Sequence, residues 1–149
     1  MSVPNSFEKI ISINSDAPTI WAALTDPKAM KQWMGEPEME IEIYTDWEIN
    51  GPVVIRGFHH TEFENRGIVL CFEPNKLLKY THLSSLSGFE DIPENYSIIE
   101  FRLTPLQDRT ELSVVVSNFP TETIFRHLEF YWNATTTVIK DLIESDNPL

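Results

Sequence analysis

The sequence is short of several things, and each shortage closes a class of function. It has a single cysteine, Cys71. A lone thiol forms no intramolecular disulfide and no paired zinc or redox motif. Basic residues are scarce: 11 Lys and Arg stand against 23 Asp and Glu, for a formal net charge of −12. Nucleic-acid binding needs Lys and Arg to neutralise phosphates, so no nucleic-acid partner is expected. The same balance disfavours an anionic membrane surface. No apolar run approaches the roughly 18 residues of a membrane span. The opening residues, MSVPNSFEK, lack a basic segment followed by an apolar run, so no signal peptide is expected. A soluble, cytoplasmic protein is the expectation. Repeats, linkers and low-complexity tracts are missing too, which leaves one domain over 1–149 with its core at about 7–145. A chain of this length buries roughly 70% of its unfolded surface.

Aromatics, by contrast, are plentiful: nine Phe, four Tyr and four Trp. They suggest a thick apolar interior or an aromatic-lined pocket. The Ile-rich stretch 7–14 favours a strand. Asp16 offers an N-cap, and Ile20, Trp21 and Leu24 follow at helical spacing. Asp26-Pro27 restarts a second short helix carrying Met30, Trp33 and Met34 and ending at Gly35. From Glu38 the period changes to two, through Met39, Ile41 and Ile43, and Asn50-Gly51 signals a hairpin. Further strands are expected at 52–59, 63–73, 76–83, 97–105 and 110–118. Residues 84–96 are rich in turn formers and acids and suggest a long exposed loop. After a Thr121 cap, residues 122–145 hold no Pro or Gly. Ile124, Phe125, Leu128, Trp132, Thr135, Ile139, Leu142 and Ile143 form one helical stripe there. The order is strand, two short helices, about six antiparallel strands and a long helix, an α+β chain. One helix can bury its stripe only against the sheet, and any space left between them is a pocket.

The ordered segments APTIWAALTDPKAMKQWM, TDWEINGPVVIRG, RGIVLCFEPNKLLKYTH and RTELSVVV with NFP, then the Trp132 helix, resemble the homologues of the activator of the heat-shock protein 90 ATPase. That family sits in the START-like, helix-grip superfamily with the birch pollen allergen and polyketide cyclases. The resemblance spans about 7–145. It implies a strongly curved antiparallel sheet of seven strands around the C-terminal helix, and a cavity that commonly takes hydrophobic small molecules. It supplies no catalytic residue. This chain departs from the family at Asn50-Gly51, where Gly-Gly is frequent, and at His60-Thr61, where an Asp-Gly type of turn is usual.

Four groups of residues invite a functional reading. In RGFHHTEFENRG, residues His60, Glu62 and Glu64 would share a face of a straight strand and offer metal-ligand chemistry. The flanking strands must pair, however, so the chain reverses there and the solvated hairpin tip is the better reading. Tyr80 and His82 share the inward parity of Leu78. Buried phenol and imidazole need partners, which are either groups inside the protein or the polar end of a ligand. Trp33, Trp47, Phe101, Phe119 and Trp132 come from distant elements that meet only at the grip, as plain core or as a cavity lining. Cys71, between Leu70 and Phe72, reads as a buried packing thiol, and Glu90, Asp91 and Glu94 as solvated loop charge. Phe130 falls opposite the Trp132 stripe and hints at cover by a partner chain or by loop 84–96.

The reading is a binding protein for a hydrophobic or amphipathic small molecule, lipid-like or polycyclic. Trp33, Trp47, Phe101, Phe119 and Trp132 would supply apolar contact, and Tyr80 and His82 a polar anchor. No cofactor and no metal are expected. A co-chaperone-like module with a chaperone or other protein partner, in a stress-response setting, is the alternative, and the chain is monomer or homodimer. An enzyme would rest on His82 as a base, and no Ser, Cys or Asp at telling spacing supports it.

Overall fold

The computed structural model describes residues 4–145. Seven antiparallel strands form one open sheet in the order β1-β7-β6-β5-β4-β3-β2. β1 (Ser6–Ile13) is followed by two short helices, α1 (Ala17–Thr25) and α2 (Pro27–Met34). Then come β2 (Glu42–Tyr44), β3 (Pro52–His59), β4 (Thr61–Glu73), β5 (Leu77–Ser84), β6 (Ser97–Pro105) and β7 (Thr110–Ser117), and last the 24-residue α3 (Glu122–Ser145). The helix-grip architecture expected from the sequence is present.

The helix boundaries follow capping chemistry. Asp16 Oδ1 accepts from Thr19 N at 2.8 Å, and Asp26 Oδ1 accepts from Lys28 N at 3.0 Å. Pro27 supplies the fixed φ that suits a first helical turn. Thr121 Oγ1 accepts from Ile124 N at 3.3 Å and starts α3. The alternating strands then bury Ile99, Phe101 and Leu103 of β6 and Leu112, Val114 and Val116 of β7 on one face. Onto that face fall Leu128, Trp132, Thr135, Ile139 and Ile143 of α3. Lys140 ties the helix to β1, donating to Ser12 O and Glu144 at 2.7 Å each, while Glu144 accepts from Asn14 N at 2.8 Å.

Local expectations fail at three places. Residues 37–39 form a 3-10 turn rather than a strand, and Glu40 is left-handed (φ 48°), so β2 shrinks to three residues. Asn50-Gly51 does not join β2 to β3 as a two-residue hairpin, since Tyr44 pairs with Val54. Instead Gly51 N closes a turn on Glu48 O at 2.8 Å, and Asn50 N and Gly51 O bond to the backbone of Val69. The loop thereby turns Trp47 (φ 59°) inward, where its Nε1 donates to Thr25 O at 2.7 Å. Cys71 is half-buried, not enclosed, and its thiol donates to Glu73 at 3.3 Å. Loop 84–96 is also less free than its composition suggests. Ser85 Oγ accepts from Glu64 N at 2.9 Å, Asp91 binds Tyr96 Oη at 2.5 Å and Arg66 at 3.3 Å, and Asn118 Nδ2 donates to Glu94 O and Tyr96 O.

β4 and β5 come unusually close at Gly67. A Cβ placed there would lie 1.7 Å from the Thr81 carbonyl oxygen, so only glycine fits. The adjacent Ile68 N–H is satisfied by Thr81 Oγ1 at 2.9 Å in place of a ladder bond. Gly67→Ala must push the two strands apart and is expected to cost roughly 2–3 kcal/mol. Gly88→Ala, in a left-handed position (φ 79°) with open space around it, should cost only about 1 kcal/mol. Urea unfolding of both variants checks this; equal losses would contradict the close approach.

Candidate functional site

The concave face is not filled from end to end. At one end the side chains form a continuous aromatic ladder. Trp33 meets Trp132 at 6.1 Å and Phe101 at 6.4 Å between ring centroids, and Trp132 meets Phe101 at 5.5 Å. Phe101 meets Tyr80 at 6.2 Å, and Tyr80 meets Trp47 at 6.1 Å. The Trp33 indole N–H is satisfied by Ala23 O at 2.8 Å. Five of the seven residues singled out in the sequence therefore do converge. Phe119 does not: it stacks on Phe7 at 5.8 Å and meets Phe125 edge-on at 5.1 Å, in a separate trio that seals β1 to the start of α3.

Beyond the ladder lies a cavity of about 350 Å³ between the sheet and the first half of α3. Tyr80, His82 and Trp132 line it, whereas Trp33, Trp47, Phe101 and Phe119 do not. Those four aromatics stand behind the wall or apart from it. The lining also includes Met34 of α2, Ile55 of β3, Phe63 and Asn65 of β4, Ser97 and Ile99 of β6, and loop residues Leu86 and Phe89. α3 contributes Ile124, His127, Leu128 and Tyr131 beside Trp132. His127 is itself exposed, which places it at the mouth.

His127 and Tyr131 were not legible as site residues from their type alone. The usable signal was position: they flank the buried Leu128 at the helical offsets i, i+1 and i+4. His59 also lines the cavity, while His60 sits at the hairpin tip with φ 66°. The turn at His60 breaks the straight-strand parity, and Glu64 is bound to Arg56 at 2.8 Å and to Arg66. Among the described residues no group of three His, Cys, Asp or Glu side chains is arranged to hold a metal ion.

The polar groups in the cavity are the informative part. Tyr80 is 2% exposed, and burial, then the neighbouring Tyr131 phenol, push its pKa up. Tyr131 is raised to about 12 by burial, and its hydroxyl donates to Met34 O at 3.2 Å. His82 is half-buried and borders the cavity. Burial, and secondarily the nearby His127, lower its pKa to about 4. No hydrogen bond contributes to the state of either Tyr80 or His82. The two do not satisfy each other. Trp132 Nε1 is likewise enclosed without a partner. Tyr80 and His82 thus border the cavity with no hydrogen bond from the protein, and Trp132 Nε1 is the enclosed side-chain nitrogen left without a partner among the described residues.

A second, shallower groove of about 530 Å³ lies by the β3–β4 hairpin, lined by Glu40, Glu42, Glu62, Glu64 and Arg56 with Phe58 and Phe63. It is acidic and open, and none of the aromatic ladder reaches it.

Comparison with known proteins gives a consistent answer. The family model for Activator of Hsp90 ATPase homolog 1-like protein matches residues 14–144. No curated protein matches the chain. A structure from Cytophaga hutchinsonii is 28% identical with a TM-score of 0.79, covering 97% of each chain. A protein from Chromobacterium violaceum is 18% identical with a TM-score of 0.79, covering 95% of this chain and 99% of that one. The Aha1 dimer from Colwellia psychrerythraea is 22% identical with a TM-score of 0.74, covering 93% and 96%. The last two establish likeness of fold alone.

The lowered pKa of His82 carries a sign. The unfolded chain, with an ordinary imidazole near 6.5, binds the proton first, so stability falls as the pH drops from about 6.5 through about 4 and is unaffected above that window. The loss is at most roughly 3 kcal/mol, less what solvent in the cavity screens. Denaturation of wild type and His82→Gln at pH 7 and pH 4 should show the wild type losing more; an equal loss would mean the imidazole is freely solvated.

Proposed function

Because the chain belongs to the Activator of Hsp90 ATPase homolog 1-like family, we propose that it is a binding module whose cavity holds a hydrophobic or amphipathic small molecule. The observation that carries this reading is the cavity itself: about 350 Å³, apolar for the most part, with Tyr80, His82 and Trp132 left unpartnered on one wall. Ligand sites are concave, apolar and provided with a few converging polar groups. Trp132 and Tyr80 give contact area and orientation, Leu128 and Ile99 the apolar floor. Trp33, Trp47 and Phe101 act from behind, by holding the wall rigid. Phe119 fixes the start of α3.

A partner-binding role is a second reading, favoured by the outer face of α3. Phe130 is 78% exposed there, and Ala134 and Val138 follow it at one-turn intervals. ATPase stimulation of the cognate chaperone, compared with a Phe130→Glu variant, tests it.

The first reading predicts that native mass spectrometry of the purified protein shows a bound small molecule that solvent extraction releases. Ile124→Trp, which projects a larger ring into the cavity from α3, should weaken rebinding of the extract by at least about tenfold with the melting temperature little changed. Rebinding unaffected by the filled cavity would place the ligand elsewhere.

A further inference from the structure

The cavity lining contains no Lys, Arg, Asp or Glu, although charged residues make up 23% of the chain. The groove by the β3–β4 hairpin, by contrast, is edged by four glutamates and an arginine. The ionisable side chains that do line the cavity are two phenols, Tyr80 and Tyr131, and three of the four histidines, His59, His82 and His127. At pH 8 the His82 imidazole, its pKa lowered by burial, is uncharged. The phenols are uncharged there as well.

The unpartnered groups are rich in donors. Tyr80 offers an O–H, and neutral His82 one ring N–H and one ring acceptor. Their complement is an acceptor oxygen on the ligand. A carboxylate has such oxygens but brings a full charge. Burying that charge with no cation in the lining costs several kcal/mol, and the −12 net charge of the chain adds repulsion. A carbonyl oxygen satisfies the same donors without that cost.

We infer that the cavity selects an uncharged apolar molecule carrying a carbonyl-type acceptor at its Tyr80–His82 end, and discriminates against carboxylates. This rests on the reading of the cavity as a ligand site. Tyr80 and His82 act as specificity residues.

The test uses three probes of matched size at pH 8: 2-acetonaphthone, 2-naphthoate and 2-ethylnaphthalene. Affinities are read by titration calorimetry on the full chain, and circular dichroism confirms that the variants fold. The ketone should bind at least tenfold more tightly than either of the others. Tyr80→Phe should abolish its advantage over the hydrocarbon. His82→Leu should do the same in part, which guards against a misfolded Tyr80 variant. Naphthoate binding as tightly as the ketone would overturn the inference, as would a ketone preference that survives in both variants. Equal binding of ketone and hydrocarbon overturns it too, yet leaves the cavity reading standing. Failure of all three probes to bind overturns both.

Discussion

One helix has to cover seven strands. A helix is about 10 Å across with its side chains, while seven strands at ~4.8 Å spacing span nearly three times that. The mismatch cannot be met by a flat sheet. The sheet curls around α3, α1 and α2 fill one end of the trough, and the opposite end stays open. Most of the architecture follows from this geometry, including the tether between Lys140 and β1 that fixes where along the sheet the helix lies. The cavity is what remains when a curved surface meets a straight rod and the gap is only partly plugged.

The aromatic ladder decides how much is plugged. Trp33, Trp132, Phe101, Tyr80 and Trp47 make a rigid wall across the trough. Their polar atoms divide into two sets. Trp33 and Trp47 donate to backbone carbonyls of α1 and are structurally complete. Tyr80, which borders the cavity, has no such bond, and Trp132 Nε1 is enclosed without a partner. The same residue types, a few ångströms apart, thus serve packing on one side and offer unfilled valence on the other. That difference, and not the presence of aromatics, sets the two sides of the wall apart.

The parts of this arrangement that could be read from the residues are those governed by periodicity and caps. The α3 stripe, the inward faces of β6 and β7, the Asp16, Asp26 and Thr121 caps and the parity of Tyr80 with His82 all follow from local rules. What escaped is set by long-range packing. Residues 37–39 alternate like a strand, but the left-handed Glu40 and the packing of Met39 beside Gly35 and Gly57 override the pattern. Asn50-Gly51 makes a turn as its type requires, yet Val69, far away in sequence, determines which turn. Convergence of the aromatics could be inferred from their elements; which rings face the void could not, because that depends on the depth of each along the trough. His127 escaped because an exposed helical histidine has no local mark that sets a cavity mouth apart from open solvent.

The sheet order has a consequence for the birth of the molecule. β1, made before the other six strands of the sheet, pairs with β7 along its whole length, Ser6 opposite Ser117 and Ile13 opposite Thr110, and its inner face packs against Phe119 and α3. Nothing made in between can take that place. During synthesis, which proceeds at roughly 5–20 residues per second, β1 therefore waits until β7 and α3 have been made. Phe7 and Ile13 stay uncovered until the final helix has left the ribosome.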